Sequence, residues 1–200
     1  MMVELATLQA ISYIMGSLGV FLAAIYYIFN MRATHQARKE VNKAQEEQRE
    51  RDEINKKIQL TNNMLQTLCK LETQQISGEL LNYTWNDTQD FLNKYDSSVN
   101  PDSFAKRMAL FNIFETLGYL LKQEVIDEEL IYINGGNSVI FHWAKFKPIL
   151  EEYRKIAYGS DMFAYFEYFA EEMWRIKHSR DPSFTKDQTL GLDFNAIFNT

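Results

Sequence analysis

Residues that build disulfides and metal sites are scarce in this sequence. It has one cysteine, Cys69, which excludes an intramolecular disulfide and the zinc sites that need several cysteines. The three histidines, His35, His142 and His178, lack the Glu-x-x-His spacing of di-iron bundles. No glycine-rich phosphate loop, nucleophile elbow or dinucleotide fingerprint occurs. We therefore expect no metal, no cofactor and no catalytic residue that a known motif would mark.

Charge is missing between Glu4 and Arg32. This uncharged run exceeds the roughly 20 apolar residues that a helix needs to cross a bilayer. A secretory signal would carry basic residues before a shorter run, whereas here the preceding charge is acidic. We predict an uncleaved transmembrane helix over residues 5–30, in contact with the lipid bilayer.

Basic residues gather just after the uncharged run. They are Arg32, Arg38, Lys39 and Lys43, with Glu40 as the acidic residue among them. Such an excess marks the cytoplasmic side of a span, because positively charged loops resist translocation. The predicted location is a cell membrane, crossed once, with the N-terminus outside and the C-terminal domain in the cytoplasm.

Small residues recur along the predicted span at Ser12, Gly16, Gly19 and Ala23. This spacing lets two helix backbones approach closely in lipid, which would support a homodimer. Glycine and serine are also common in spans that do not associate. Both interpretations stay open.

Proline and glycine are absent between Arg32 and Asn55, where charged residues and glutamine dominate. Pairs such as Glu47 and Arg51 have the acidic-then-basic order, four residues apart, that supports a solvated helix. We predict a charged helical stalk over residues 31–58 that continues the span.

An apolar seam crosses the end of the stalk at Ile54, Ile58, Thr61, Leu65 and Leu68. Its steps of four and three fit a short parallel coiled coil, or a stripe by which the helix docks on its own domain. Fewer than three heptads keep the pattern, which favours docking.

The rest of the chain is predicted to form one helical domain over residues 59–180 and a weakly structured tail over residues 181–200, although "LDFNAIF" in the tail could dock. Asn100 and Pro101 predict a helix start, because asparagine caps free N–H groups and proline lacks one. Residues 131–141 are ambiguous: "NGGN" fits either a hairpin or the junction of two helices. The fold class is therefore all-α: a transmembrane helix, a charged stalk and a small cytoplasmic bundle.

The net charge is −6, and its acidic excess lies after residue 75. An acidic domain is a poor match for nucleic acid. The stretch "FETLGYLLKQEVIDEELI" has the rhythm of a winged-helix domain, but it carries acidic residues where a recognition helix needs basic ones. We therefore regard nucleic acid as an unlikely partner and a tethered winged-helix regulator as an alternative.

One acidic residue, Glu115, interrupts the apolar face of a predicted helix. A buried carboxylate needs a partner, and Arg107 or Lys122 on the same helix could form an ion pair with it. A second alternative function is an enzyme whose unrecognised site involves Glu115, His142 and Arg154.

Aromatic residues crowd the last predicted helix. They are Phe163, Tyr165, Phe166, Tyr168, Phe169 and Trp174. Most aromatics must be core, but an exposed remainder would suit a protein partner, because tyrosine and tryptophan dominate interface hot spots.

Several short blocks, among them "YTWNDTQDFLNKYDS", "NPDSFAKR", "WAKFKPILEEYR" and "YFEYF", together resemble a family of domains of unknown function. That family is seen on single-pass anchored proteins of archaea and bacteria, and the resemblance covers about residues 60–174. It implies an all-helical cytoplasmic domain and helix-turn-helix connectivity at "NGGN", and no activity comes with it. Members often carry glycine where this chain has Glu124, so we expect a less tight bend before Val125.

These observations predict a single-pass, membrane-anchored helical module without a recognised activity. Its expected role is that of an adaptor or accessory subunit in a membrane complex, with a protein partner of unknown identity.

Overall fold

The computed structural model of the chain describes residues 2–198. The helices are α1 (Met2–Leu68), α2 (Leu71–Leu81), α3 (Thr88–Tyr95), α4 (Pro101–Lys122), α5 (Glu128–Ile131), α6 (Asn137–Tyr153), α7 (Ala164–Arg180) and α8 (Phe194–Phe198). Two π-helical turns, Tyr132–Gly136 and Arg154–Tyr158, follow α5 and α6. Strands β1 (Lys186–Asp187) and β2 (Leu192–Asp193) pair antiparallel. The predicted all-α class is confirmed.

The chain divides into two compact units, one ending at Ile54 and one beginning at Asn55. The first unit is a single stretch of α1. Most of its described apolar side chains are exposed, for example Val20 at 73% and Phe21 at 63%. Within the described residues one helix is long and apolar enough to cross a membrane. In the charged part of this unit, Arg51 pairs with Glu47 at 3.5 Å.

The second unit has a core built mainly by α4, α6 and α7. Phenylalanine dominates this core: Phe111 and Phe114 of α4 meet Phe166 of α7 at ring-centre distances of 5.2 and 4.9 Å. Helix α4 begins as predicted, since the Asn100 side chain accepts a hydrogen bond from the Ser103 N–H at 3.0 Å and Pro101 is its first residue.

The end of α4 corrects the expectation of a loose bend. Glu124 has a φ of 58°, in the left-handed region that favours glycine. Its N–H donates to the Leu121 carbonyl at 2.9 Å, and the Val125 N–H donates to the Leu120 carbonyl at 3.1 Å. These two bonds form a Schellman turn, which is as tight with glutamate as with glycine.

The "NGGN" stretch is helical throughout, so the hairpin alternative is wrong, and so is the turn between two helices that the family resemblance implied. Helix α5, the first π-helical turn and α6 follow one another without a break, and α6 continues through Pro148. Gly136 is packed tightly, because a Cβ added there would lie 2.8 Å from the Tyr132 ring and 3.4 Å from the Met173 sulfur. The π turn therefore places this glycine against neighbouring side chains instead of reversing the chain.

The C-terminal part of the apolar seam of α1 lies within the second unit and packs into the core of that unit. Thr61, Leu65 and Leu68 are buried, whereas Ile54 and Ile58 are exposed. The Thr61 hydroxyl accepts a hydrogen bond from the Asp127 N–H at 2.8 Å, which ties α1 to the start of α5. Docking is thus confirmed for the last two turns, and a coiled coil stays a prediction.

The described part of the tail is more ordered than expected. Its two strands form a short hairpin, and α8 docks as the "LDFNAIF" pattern allowed. Phe194 is fully buried, and its N–H donates to the Thr185 carbonyl at 2.9 Å. Aromatic burial orders this segment, which local polarity alone does not predict.

Candidate functional site

Four of the six aromatic residues predicted to bind a partner belong to the core. Phe163, Phe166, Phe169 and Trp174 are buried. Phe166, Phe169 and Trp174 lie on the face of α7 that packs against the bundle, and Phe163 immediately precedes this helix. The predicted six-residue patch is therefore corrected to the two tyrosines, Tyr165 and Tyr168, which are half-buried. The polar hydroxyl of tyrosine is the sequence signal that distinguishes Tyr165 and Tyr168 from the four buried aromatic residues.

The two remaining tyrosines join a residue of α4 that the sequence did not single out. Tyr119 is 46% exposed, and its ring meets that of Tyr165 edge-on at 5.3 Å. The Lys122 ammonium lies 5.4 Å from the Tyr165 ring centre and 5.5 Å from that of Tyr168. We call Tyr119, Lys122, Tyr165 and Tyr168 the tyrosine surface. Cation–π contacts between Lys122 and the two rings favour this arrangement.

Gly118 explains why the two helices meet closely enough to form this surface. A Cβ added at Gly118 would lie 1.9 Å from the backbone oxygen of Tyr165 and 2.6 Å from its carbonyl carbon. Only glycine permits that approach, because no side chain can occupy the space taken by a neighbouring backbone. The sequence "LGY" thus sets the distance between Tyr119 and Tyr165.

Carboxylates border the tyrosine surface. Burial raises the pKa of the Tyr168 hydroxyl, and the nearby charges of Glu172, Glu128 and Glu124 raise this pKa further. Arg175 partly offsets these charges, since it pairs with Glu128 at 2.6 Å and with Glu172 at 2.8 Å. The surface therefore combines an aromatic centre with an acidic margin.

Glu115 stabilises a helix end and forms neither of the expected ion pairs. Its carboxylate accepts a hydrogen bond from the Phe166 N–H at 2.6 Å. That N–H belongs to the first turn of α7, where backbone donors are free and negative charge is favourable. Arg107 instead donates to the Tyr95 carbonyl at 3.2 Å and stacks on Phe91.

His142 is fully buried and joins α6 to α2. Its Nδ1 lies 2.7 Å from the Ser138 carbonyl, and its Nε2 lies 3.2 Å from the Ser77 carbonyl. Burial lowers the pKa of His142 to about 4, although the two carbonyls favour the charged form. A neutral, inaccessible imidazole suits a structural role.

The third residue of the proposed enzyme site, Arg154, lies in a different environment from the other two. It pairs with Glu167 at 2.7 Å and donates to the Met162 carbonyl at 2.8 Å. Neither the cavity of about 120 Å³ beside Ser138 nor the cavity of about 420 Å³ beside Lys145 is lined by Glu115, His142 or Arg154. The geometry gives these three residues no common substrate site in those cavities.

The small residues predicted for anchor association are exposed along α1. Ser12, Gly16, Gly19 and Ala23 lie in the first unit, and a Cβ added at either glycine would meet open space. Association through this face stays a prediction. Within residues 2–198, no group of three or more His, Cys, Asp or Glu side chains could hold a metal ion.

A comparison with known protein families finds a match over most of the chain. The family model described as "Domain of unknown function (DUF4760)" covers residues 14–174. The chain belongs to the DUF4760 family. The match reaches from the apolar part of α1 to Trp174 in α7, so it extends the resemblance seen from residue 60 toward the N-terminus. No curated protein and no solved structure matches the chain.

Proposed function

We propose that this DUF4760 protein is a single-pass, membrane-anchored adaptor or accessory subunit whose helical bundle binds another protein through the tyrosine surface. The observation that supports the proposal is the clustering of Tyr119, Tyr165 and Tyr168 around Lys122 on the outside of α4 and α7. Tyrosine offers a large contact area at low entropic cost, which is why it dominates interface hot spots.

The partner would present a basic segment. Glu124, Glu128 and Glu172 border the tyrosine surface, and the acidic excess of the chain lies in this half of the sequence. Opposite charge at the margin of an interface steers encounter and fixes orientation. Arginine fits this surface best, because it can stack on tyrosine while competing with Arg175 for Glu128 and Glu172.

The interaction would take place next to the membrane. The proposal places residues 5–30 across a cell membrane and the bundle in the cytoplasm, supported by the basic residues that follow the apolar run. Self-association through the small residues of the span is compatible with this role and would make the adaptor bivalent.

Photo-crosslinking tests the proposal. A photoreactive phenylalanine analogue replaces Tyr119 in the full-length protein, and crosslinked material from native membranes is identified by mass spectrometry. We expect one recurrent partner with a basic segment at the crosslink. The yield should fall strongly when Tyr168 is also changed to alanine.

The matched control places the analogue at Leu71, which is 74% exposed on α2. Equal capture of the same protein from Leu71 and Tyr119 would contradict a role for the tyrosine surface. If the analogue at Tyr119 crosslinks only to another copy of this chain, the tyrosine surface is a homo-oligomer interface and the adaptor role is contradicted.

A further inference from the structure

Lys145 of α6 is a half-buried lysine whose ammonium faces the end of another helix. Its Nζ donates to the Leu81 carbonyl at 2.6 Å and to the Tyr83 carbonyl at 2.7 Å. A lysine ammonium has three donors, so one N–H of Lys145 has no acceptor among residues 2–198.

The charge of Lys145 is not neutralised by an acidic residue. No carboxylate of the described chain lies within 4.0 Å of its ammonium, although other half-buried cations of the bundle, such as Lys147 and Arg154, have such a partner. Burial lowers the pKa of Lys145. The two carbonyl oxygens favour the protonated form, which leaves a positive charge that lacks its counter-ion.

This ammonium lines a cavity of about 420 Å³ between the end of α2 and the tail hairpin. Trp85 forms an apolar wall, with its ring centre 5.1 Å from the Lys145 Nζ. Asn82 and Thr84 add polar groups, and Thr189 and Leu190 of the hairpin loop complete the lining of this solvent-open cavity. The volume lies in the range of small-molecule sites, which run from about 300 to 1,000 Å³.

We propose that this cavity binds a small organic anion, with its carboxylate on Lys145 and a flat apolar group against Trp85. The carboxylate supplies the missing counter-ion and accepts the remaining N–H. Trp85 lines the cavity beside the ammonium, so a planar group can contact its ring there, and the small polar side chains at the wall leave space for it. The site is separate from the tyrosine surface and would give the module a ligand of its own.

A purely structural role for Lys145 makes a different prediction. Lysine side chains commonly bind the last carbonyls of a helix, and Leu81 is the last residue of α2. In that case the charge at this position affects stability alone, and no anion binds in the cavity.

Titration calorimetry on the full-length protein in detergent separates the two roles, with benzoate as the probe and benzamide as its uncharged isostere. We expect saturable benzoate binding and affinity for benzamide that is roughly tenfold lower or weaker. Lys145→Gln should weaken benzoate binding by a similar factor. The matched control Lys155→Gln, at a lysine whose side chain is 70% exposed, should leave the affinity unchanged.

A second variant keeps the test valid if Lys145→Gln fails to fold. Thr189→Trp fills the cavity from the exposed hairpin loop and leaves the bonds of Lys145 to Leu81 and Tyr83 in place. It should abolish benzoate binding and retain the thermal unfolding midpoint. Absence of saturable binding to the folded wild type, or equal binding to Thr189→Trp, would overturn the proposal.

Discussion

Glu124 holds a backbone conformation that costs a residue with a side chain about 1 to 2 kcal/mol. Its φ of 58° is imposed by the Schellman turn that ends α4. Glu124→Gly should therefore raise the free energy of unfolding of the bundle by about 0.5 to 1 kcal/mol, after allowing for the greater freedom of glycine in the unfolded chain. Urea unfolding of the full-length protein in detergent, followed by circular dichroism, measures this change.

Glu124→Ala is the control for that experiment, because it removes the same carboxylate but keeps the Cβ. If alanine stabilises the protein as much as glycine, charge repulsion rather than backbone strain is the cause.

His142 should make the bundle sensitive to acid. Burial lowers the pKa of His142 to about 4 in the folded state, against about 6.5 in an unfolded chain. The unfolded state therefore takes up the proton first as the pH falls. The contribution of this group to stability is complete above pH 6.5 and is lost progressively toward pH 4, with a total of up to about 3 kcal/mol.

Unfolding free energies measured between pH 7 and pH 4 test this prediction. His142→Asn should be less stable than the wild type at pH 7 but should lose less stability on acidification. His35→Asn, at an exposed position of α1, should retain the full wild-type slope. A slope unchanged by His142→Asn would show that the acid sensitivity arises from other groups.

Single residues differ in how far the sequence reveals their role. The cap formed by Asn100 was predictable, because its partner lies three residues away. The partner of Glu115 lies 51 residues away, so the sequence indicated that its carboxylate needs a partner but not which one. Likewise, Lys145 carries no motif, and only the folded chain brings it to Trp85.

At the scale of helices, the contact between α4 and α7 depends on the missing side chain of Gly118. Gly118→Ala would force the two backbones apart, since the added Cβ falls 1.9 Å from the Tyr165 oxygen. We expect a loss of about 3 kcal/mol or more in the free energy of unfolding. Weaker photo-crosslinking from Tyr119 should accompany this loss.

Gly78→Ala provides the comparison, because a Cβ there meets nothing within 4 Å in the interior of α2. It should leave stability unchanged or raise it by up to about 1 kcal/mol. Similar losses for the two variants would argue against close helix contact as the reason for Gly118.

The helices themselves were largely predictable, and their connections were less so. Asn100 and Pro101 predicted the start of α4, because a helix cap is a local signal. The path from α5 through the π-helical turn to α6 was ambiguous, since "NGGN" satisfies two turn chemistries equally well. The chain adopts neither turn: the stretch stays helical, with Gly136 packed against Tyr132 and Met173, and those contacts exist only in the folded bundle.

For the whole molecule, orientation in the membrane is the prediction that most needs a direct measurement. Cys69 is exposed and is the sole cysteine, so thiol labelling shows on which side of the membrane the bundle lies. A membrane-impermeant maleimide should leave Cys69 unlabelled in intact cells and should label it after permeabilisation. A cysteine at Val3, in a Cys69→Ser background, should show the opposite pattern.

Labelling of Cys69 in intact cells would place the bundle outside and reverse the assigned orientation. The N-x-T sequons at Asn82 and Asn86 would then become possible glycosylation sites in a host that modifies exported proteins.

The all-α class and the apolar N-terminal helix followed from long-range composition, and both agree with the structure. The ordered structure of the tail could not be predicted from composition, because most of its residues are polar and only a few aromatic residues determine where it packs. Phe194 and Phe198 could be seen in the sequence, but their contacts with Trp174 could not.

The docked tail has a consequence for how this family is delimited. The shared family segment ends at residue 174, yet the aromatic core continues to Phe194, which is fully buried. A polypeptide cut at the family boundary would lose the end of α7 and uncover apolar rings to water. The segment by which the family is recognised is thus shorter than the polypeptide needed to form the complete bundle.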